Sequence, residues 1–404
     1  MTGRPDPASS PHGSLAGSLT PRARLGLTLI AGGAVANIYY NQPLLALLAS
    51  EFGEAAALWV PAACLVGYGL GIVGLVPLGD GLPRRSLIVG QLLGLALALV
   101  AAGLSSNLAS LALASLAIGI LSSAAQQAVP FAAELAPDAS RGRVVGQVMT
   151  GLLTGILLAR TVSGFVGAHL GWRAVFLAAA GVALAMAAIA RATLPHTPQT
   201  RRLRYRALML SILHLARTQP ILRRASLSQA LLFASFNAFW VTLALLVEAE
   251  PFNLTAAGAG LFGVIGVAGA LVAPLSGRFT DRRGARPVVV GGAVLVMAAF
   301  GVLWAGGQWS LAAVALGVLL IDIGLNGALI ANQTQVYALA PGARGRLNTV
   351  LFTVMFVFGA AGAFAGSQAF LAVGWPGVCA VGLALSGASL LVALRAPSRR
   401  PLAV

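Results

Sequence analysis

The 404-residue sequence contains no lysine, two cysteines and only 9% charged residues. Soluble globular proteins carry about 25% charged residues, so a chain this poor in charge cannot keep most of its surface in water. Cys64 and Cys379 both lie in apolar segments, one in each half, which favours two buried thiols over a disulfide. The four histidines are scattered and show no metal-ligand spacing, and no Walker-type glycine-rich phosphate loop occurs. We therefore expect no metal, no other cofactor and no direct use of ATP.

Long apolar runs dominate the rest of the chain, which is 58% hydrophobic. Each run is close to the roughly 20 residues that cross a bilayer as a helix, and the period-two alternation of membrane barrels is absent. The sequence therefore predicts an all-α integral membrane protein. The twelve predicted transmembrane helices cover residues 25–48, 56–78, 87–105, 108–132, 144–168, 174–194, 226–247, 255–276, 287–305, 309–338, 347–370 and 375–395.

Arginine placement sets the predicted orientation. If twelve spans alternate, all but two of the 26 arginines lie on the side of the membrane that holds both termini; Arg160 and Arg173 are the exceptions. Basic residues are retained in cytoplasmic loops, so the termini are expected in the cytoplasm and the protein in a bacterial inner membrane. The net charge of +16 thus indicates contact with membrane lipid and not with nucleic acid. The predicted outer turns carry the acids Glu51, Glu54, Glu248 and Glu250.

The two halves of the chain repeat one another at an offset of roughly 200–204 residues. Segment 77–85 returns as 276–284, 135–143 returns as 339–346, and Gly171-Trp172 returns as Gly374-Trp375. In an apolar chain, such a duplication is typical of a transporter whose site lies between two pseudo-symmetric six-helix bundles. We divide the chain into a disordered tail (1–21), a first bundle (22–194), a linker (195–224), a second bundle (225–396) and a tail (397–404).

The linker is rich in arginine and contains the apolar segment 208–213. One interpretation is a short helix that lies on the anionic inner leaflet; the other is an ordinary basic loop. The sequence leaves both interpretations open.

Six spans, a basic linker and six more spans resemble the major facilitator superfamily. Its members carry the motif Gly-x-x-x-Asp-(Arg)-x-Gly-(Arg/Lys)-(Arg/Lys) after span 2, with a weaker copy after span 8. Here the second copy is the fuller one, because Val76 and Pro83 replace the glycines of the first. The matching residues are Asp80, Arg84 and Arg85 in the first copy, and Gly277, Asp281, Arg282 and Gly284 in the second.

Segment 37–43 (Asn-Ile-Tyr-Tyr-Asn-Gln-Pro) resembles a branch of bacterial drug-efflux-like members, including exporters of sugars and purine nucleosides. The resemblance implies a monomeric secondary transporter, not an enzyme, that exports a small organic molecule in exchange for protons by alternating access. Uptake by proton symport, or facilitated diffusion, is the alternative. A membrane enzyme is a remote alternative, because no nucleophile, base or metal cluster assembles in the sequence. A non-transporting sensor is equally remote, because it would usually carry an added soluble domain.

The resemblance implies that charged residues at the membrane edge form a latch between conformations. Asp80 and Asp281 lie beside arginines, where a carboxylate either caps a loop or faces the positive end of a helix from the other half, near Asn348. The gating set comprises Asp80, Arg84, Arg85, Arg141, Gly277, Asp281, Arg282 and Gly284.

Two charges are predicted inside the membrane: Arg160 in span 5 and Asp322 in span 10. Such charges are rare and usually face a bundle interior or a wet cavity. Arg160 either snorkels to the interface, binds or gates an anion, or pairs with a carboxylate, which could be Asp322 in one state. Asp322 is either a structural group or a proton carrier, because a low-dielectric interior favours the neutral acid. Spans 1, 4, 7 and 10 line the cavity in the superfamily, and they supply the predicted substrate residues Asn37, Tyr40, Asn41, Gln42, Gln126, Gln127, Asn237, Trp240 and Asn326.

Overall fold

The computed structural model describes residues 19–80, 82–137, 141–196, 205–265, 273–340 and 344–395, and all regular elements in these ranges are helical. The α-helices are α1 Pro21–Ala36, α2 Leu45–Phe52, α3 Ala55–Gly74, α4 Arg84–Gly103, α5 Leu108–Ser122, α6 Ala124–Leu135, α7 Arg141–Thr193, α8 Tyr205–Thr218, α9 Pro220–Glu248, α10 Ala256–Ile265, α11 Ala273–Arg283, α12 Ala285–Gly306, α13 Leu311–Tyr337, α14 Arg344–Val373 and α15 Trp375–Leu394. Short 3-10 helices occupy Gln42–Leu44 and Val76–Asp80.

Nine helical stretches in the described ranges are long and apolar enough to cross a membrane. One of them, α7, contains a break at Gly171 and so supplies two of the predicted spans. The first predicted span corresponds to α1 and α2, which are separated by residues 37–44. The eighth contains α10 and the start of α11, with residues 266–272 outside the described part. The architecture is the twelve-span, two-bundle arrangement that the sequence predicts.

The repeated Gly-Trp pair marks the same turn in each half. Gly171 (φ +80°) precedes the second span of α7, and Gly374 (φ +69°) precedes α15. Both backbones lie in the left-handed region, where a residue with a Cβ is strained. The buried Trp375 then donates a hydrogen bond from Nε1 to the Leu303 carbonyl at 2.9 Å. The repeat therefore preserves a turn geometry at the start of the last span of each bundle.

Small residues allow helices to approach closely in both halves. A Cβ on Gly155 of α7 would lie 2.1 Å from the Gly32 carbonyl oxygen of α1. In the second half, a Cβ on Gly362 of α14 would lie 2.1 Å from the Ala234 carbonyl oxygen of α9. Such close backbone contact is how membrane helices associate when lipid offers no hydrophobic driving force. The spacing of Gly151 and Gly155 in span 5 predicts this surface.

Replacing Gly155 with alanine should destabilise the first bundle. The added methyl would clash with the Gly32 backbone, and overpacking of this kind costs about 1–3 kcal/mol. Gly146→Ala, on the same helix, meets nothing within 4 Å and serves as the matched control. We expect thermal unfolding of the purified protein to show a Tm lowered by about 2–10 °C for Gly155→Ala and unchanged or raised for Gly146→Ala. Equal Tm values would contradict the tight contact.

The described part of the linker is helical. Helix α8 packs on the second half through the buried Ile212 against Leu222 and Leu347, and exposes Leu210 and Leu213. Its first residue also reaches the first half: the Tyr205 hydroxyl donates a hydrogen bond to the Gly74 carbonyl at 3.1 Å. The helix of the first interpretation is therefore present, and its contact with lipid stays a prediction.

Candidate functional site

A cavity of about 620 Å³ lies between the two halves. Its walls come from α1, α3, α6 and α7 of the first half and from α9, α13 and α14 of the second. Its lining continues to Tyr337, Gly345 and Asn348, at the face where α1 begins and α15 ends. We call this the terminal face. A cavity of this size is typical of sites that bind drug-sized ligands.

On the side away from the terminal face, the two halves are in contact. Thr161 of α7 donates a hydrogen bond to the Gly260 carbonyl of α10 at 3.2 Å. The rings of Trp59 and Phe364, from α3 and α14, are 5.7 Å apart. A Cβ on Gly260 would lie only 2.7 Å from the Arg160 carbonyl oxygen. The cavity therefore opens toward the terminal face and is closed at the opposite face.

Arg160 lies at the closed end of the cavity and is 2% exposed. Its Nε donates a hydrogen bond to Gln42 Oε1 at 2.8 Å. Its guanidinium carbon lies 3.9 Å from the ring centroid of Trp240 and 4.7 Å from that of Tyr39. Cation–π contacts of this kind are worth about 2 kcal/mol when desolvated. Trp240 belongs to the second half, so the Arg160 side chain joins the two bundles instead of snorkelling to the interface.

Asp322, on α13, lines the same cavity from the second half and is 6% exposed. Its Oδ2 has no hydrogen-bond partner in the part of the chain that is described. Asn326 donates to the Asp322 backbone carbonyl at 2.9 Å and also lines the cavity. No ion pair within 4.0 Å joins Asp322 to Arg160, although both side chains are described. The two charges share one cavity and attract each other, but they form no direct ion pair.

The predicted substrate residues divide into three groups. Gln126 and Asn326 lie on the cavity wall, and Gln126 donates to the Tyr68 hydroxyl at 3.1 Å. Gln42 and Trp240 contact Arg160 at a small recess at the closed end. The others lie off the cavity wall: Asn37, Tyr40, Asn41, Gln127 and Asn237. Asn37 and Asn237 donate hydrogen bonds to carbonyls of their own helices. Gln127 donates to the Leu75 carbonyl and to Gln91 Oε1.

The wall also has an aromatic part that was not predicted from the sequence. Tyr68, Phe233 and Phe356 line the cavity, and the Phe356 ring centroid lies 4.5 Å from that of Tyr68 and 5.0 Å from that of Phe233. Gln229 is a further lining residue that was not predicted, whereas Gln333, an amide of span 10, lies on the wall as its span predicts. Helical spacing gives no sign of which apolar face meets a cavity and which meets lipid, because both are hydrophobic.

The predicted gating residues are only partly described. The side chains of Asp80, Asp281 and Arg141 lie outside the described part of the structure, so the latch stays a prediction. In the second copy of the motif, Gly284 has a φ of +82° between α11 and α12, Gly277 has open space where a Cβ would lie, and Arg282 is exposed. In the first copy, Arg84 pairs with Glu134 at 3.4 Å, and Arg85 donates a hydrogen bond to the Arg191 carbonyl.

At the opposite face, Glu51 links two helices of the first bundle. It accepts hydrogen bonds from Arg173 Nη1 and from Trp172 Nε1, each at 2.8 Å. The Arg173 hydrogen bond, and next the Trp172 hydrogen bond, lower the pKa of the Glu51 carboxyl below its usual 4.5. Arg173, one of the two arginines that do not fit the sorting, is thereby paired with an acid.

The Glu51 contacts should weaken in acid. A carboxyl with a lowered pKa stabilises the folded state above its ordinary pKa and loses that contribution as the pH falls through its folded value. We expect the Tm of the wild type to exceed that of Glu51→Gln at neutral pH. The difference should shrink as the pH falls below about 4.5 and vanish once the pH is below the lowered pKa of Glu51. Glu54→Gln, which removes a nearby negative charge, is the control for a general charge effect at this face.

Comparison with known proteins places the chain in a family. The sequence pattern of the Major Facilitator Superfamily matches residues 27–363 and again 225–403. The chain is 38% identical to "Uncharacterized transporter YgaY" of Escherichia coli O157:H7, over 93% of this chain and 95% of that protein. It is 37% identical to "Probable transporter SCO4007" of Streptomyces coelicolor, over 98% of this chain and 92% of that protein. A bacterial homologue of the human lysosomal transporter Spinster, solved inward-facing and unoccupied, superposes with a TM-score of 0.68 at 16% identity, covering 93% of this chain and 95% of that one. The chain belongs to the Major Facilitator Superfamily and is a multi-pass membrane transporter.

Proposed function

We propose that the protein is a proton-coupled secondary transporter that moves a small organic molecule by alternating access, with Asp322 as the proton carrier. The observation that carries this proposal is a carboxyl group on the cavity wall whose Oδ2 has no partner among the described residues. An acid that is neither paired nor exposed to bulk water can take up and release a proton as the cavity changes side. The other titratable groups on the described wall are Arg160, Tyr39 and Tyr68 of the first half and Tyr337 of the second.

Export in exchange for protons is the direction that the drug-efflux-like segment 37–43 favours. A cationic or neutral substrate that contacts Asp322 would compete with the proton for the same carboxylate. Substrate and proton would then cross in opposite directions, as antiport requires. The arginine sorting supports cytoplasmic termini in a bacterial inner membrane, so that the cavity would here face the cytoplasm.

Proton symport is the second candidate, and Arg160 favours it. Arg160 and Asp322 share one cavity, so the positive charge of Arg160 attracts the carboxylate of Asp322. A bound anion would neutralise Arg160 and remove that attraction. Asp322 would then hold its proton more tightly, so anion and proton would bind together. The sign of the substrate charge therefore separates symport from antiport.

Transport into proteoliposomes with an imposed pH gradient tests the proposal. Sugars, nucleosides, cationic drugs and organic acids are supplied as radiolabelled solutes, and each is measured with the gradient in both directions. Accumulation inside vesicles with an acidic interior supports antiport, because protons then leave as the solute enters. Accumulation inside vesicles in an acidic medium supports symport, because protons and solute then enter together. If none of the transported solutes responded to a pH gradient in either direction, proton coupling would be contradicted. The protein would then be a facilitator.

A further inference from the structure

We propose that the cavity recognises an organic anion: a molecule with one carboxylate or similar acidic group, held by Arg160, and a flat apolar body. This inference rests on the proposed function, because it takes the cavity to be the transport site. It goes further by naming the chemical class of the substrate, and a substrate of this charge selects the symport candidate over antiport. Three features of the cavity carry it: a buried cation with no counterion in direct contact, aromatic rings packed against that cation, and an aromatic wall in the same cavity.

The first feature is that Arg160 has no counterion in direct contact, although Asp322 shares its cavity. Of the Arg160 nitrogens, Nε is bonded to the neutral amide of Gln42, and Nη2 has no hydrogen-bond partner among the described residues. No carboxylate in the described part of the chain lies within 4.0 Å of the guanidinium. A buried charge is costly unless it is paired and hydrogen-bonded. A ligand that brings its own negative charge would remove that cost, whereas a cationic ligand would add to it.

The second feature is the orientation of the guanidinium. The rings of Trp240 and Tyr39, with Phe236 at 5.6 Å, lie against it and restrict its movement. Gln42 occupies Nε. Nη1 and Nη2 make no hydrogen bond to the described residues and remain as donors. A carboxylate is the acceptor that suits them, because arginine binds planar acids through two parallel N–H···O bonds.

The third feature is the wall beside Arg160. Tyr68, Phe233 and Phe356 form a continuous set of aromatic contacts along the cavity. Aromatic side chains prefer offset or edge-to-face contacts with other rings, so the wall suits a flat apolar body. Gln126 and Asn326 add a small number of hydrogen-bonding groups. The volume of about 620 Å³ accommodates such a molecule with its acid at Arg160.

Binding to the purified protein in detergent tests the inference without any gradient, so its failure is distinct from failure of proton coupling. The probes are matched sets that differ only in charge, such as 2-naphthoate, 2-naphthamide and 2-naphthylmethylamine, extended to ten aromatic and alicyclic bodies. Affinity is read from quenching of tryptophan fluorescence and confirmed by thermal shift. We expect the acid of at least one set to bind about 10- to 100-fold more tightly than its amide, the range expected for hydrogen bonds to a charged group.

The variants assign the preference to Arg160. Arg160→Gln should reduce the acid-to-amide ratio to about one, Arg160→Lys should keep part of it, and Arg173→Gln, a control outside the cavity, should keep all of it. The wild-type result stands by itself if a variant fails to fold. Equal binding of acid and amide in every set, or tighter binding of the amines, would overturn the inference. A preference that persists in a folded Arg160→Gln variant would also overturn it.

Discussion

Asp322→Asn should abolish accumulation driven by a pH gradient while reducing passive exchange of substrate far less. Asparagine matches aspartate in shape but carries no titratable proton. One pH unit corresponds to about 1.4 kcal/mol, so wild-type protein that moves one proton per substrate should reach an accumulation ratio of about ten. In the variant this ratio should fall to about one. Proteoliposomes loaded with unlabelled substrate measure exchange in the same preparation.

Glu248→Gln is the matched control for this experiment. Glu248 ends α9, is half-buried and has an Oε1 with no partner among the described residues, but it does not line the cavity. Its replacement removes an acid from the same protein without touching the proposed coupling site, so accumulation should persist. If Asp322→Asn accumulated substrate with the wild-type pH dependence, Asp322 would not be the proton carrier. If both variants lost accumulation, loss of acid in general would be the cause.

The fold could be predicted from the sequence because its signals are local and repeated. Apolar runs of the right length predict helices, and the alternating placement of arginine predicts their direction. The echo of Gly171-Trp172 in Gly374-Trp375 marks a left-handed turn that the structure contains in both halves. The interruption of span 1 at residues 37–44 was not predicted, because amides such as those of Asn37 and Asn41 also occur within unbroken membrane helices.

The site was less predictable because it depends on where helices meet. Arg160 and Asp322 are visible in the sequence as charges in apolar runs, and the structure brings both to one cavity. Asn37 and Asn237 occupy equivalent places in the halves, yet each bonds a carbonyl one turn earlier in its own helix. An amide in a membrane helix can satisfy itself in this way or face a ligand, and the sequence does not distinguish the two.

Aromatic residues show the same limit in another form. Phe233 and Phe356 lie in continuous apolar segments, where any side of the helix can be hydrophobic. Whether such a ring contacts lipid, a neighbouring helix or a cavity depends on the rotation of each helix about its axis. That rotation is set by packing, for example by the close approach of α9 and α14 at Gly362. The aromatic wall therefore became visible only in the structure.

Gly260→Leu should hold the protein away from the state seen here and block transport. Gly260 is where α10 meets α7 across the closed opposite face, and even a Cβ there would lie 2.7 Å from the Arg160 carbonyl oxygen. A leucine would wedge the halves apart on that side. Overpacking costs about 1–3 kcal/mol, so the population open to the terminal face should fall about 5- to 150-fold relative to its alternative.

Cysteine labelling measures this shift. In a background with Cys64→Ala and Cys379→Ala, Gln333→Cys places a thiol on the cavity wall near the terminal face. A membrane-impermeant maleimide supplied from that face should label it more slowly when Gly260→Leu is added. Gly301→Leu is the control, because a Cβ there meets nothing within 4 Å. Unchanged labelling together with normal transport would show that contact at Gly260 does not close the opposite face. Slower labelling together with lost transport would tie that contact to the alternation between the two open states.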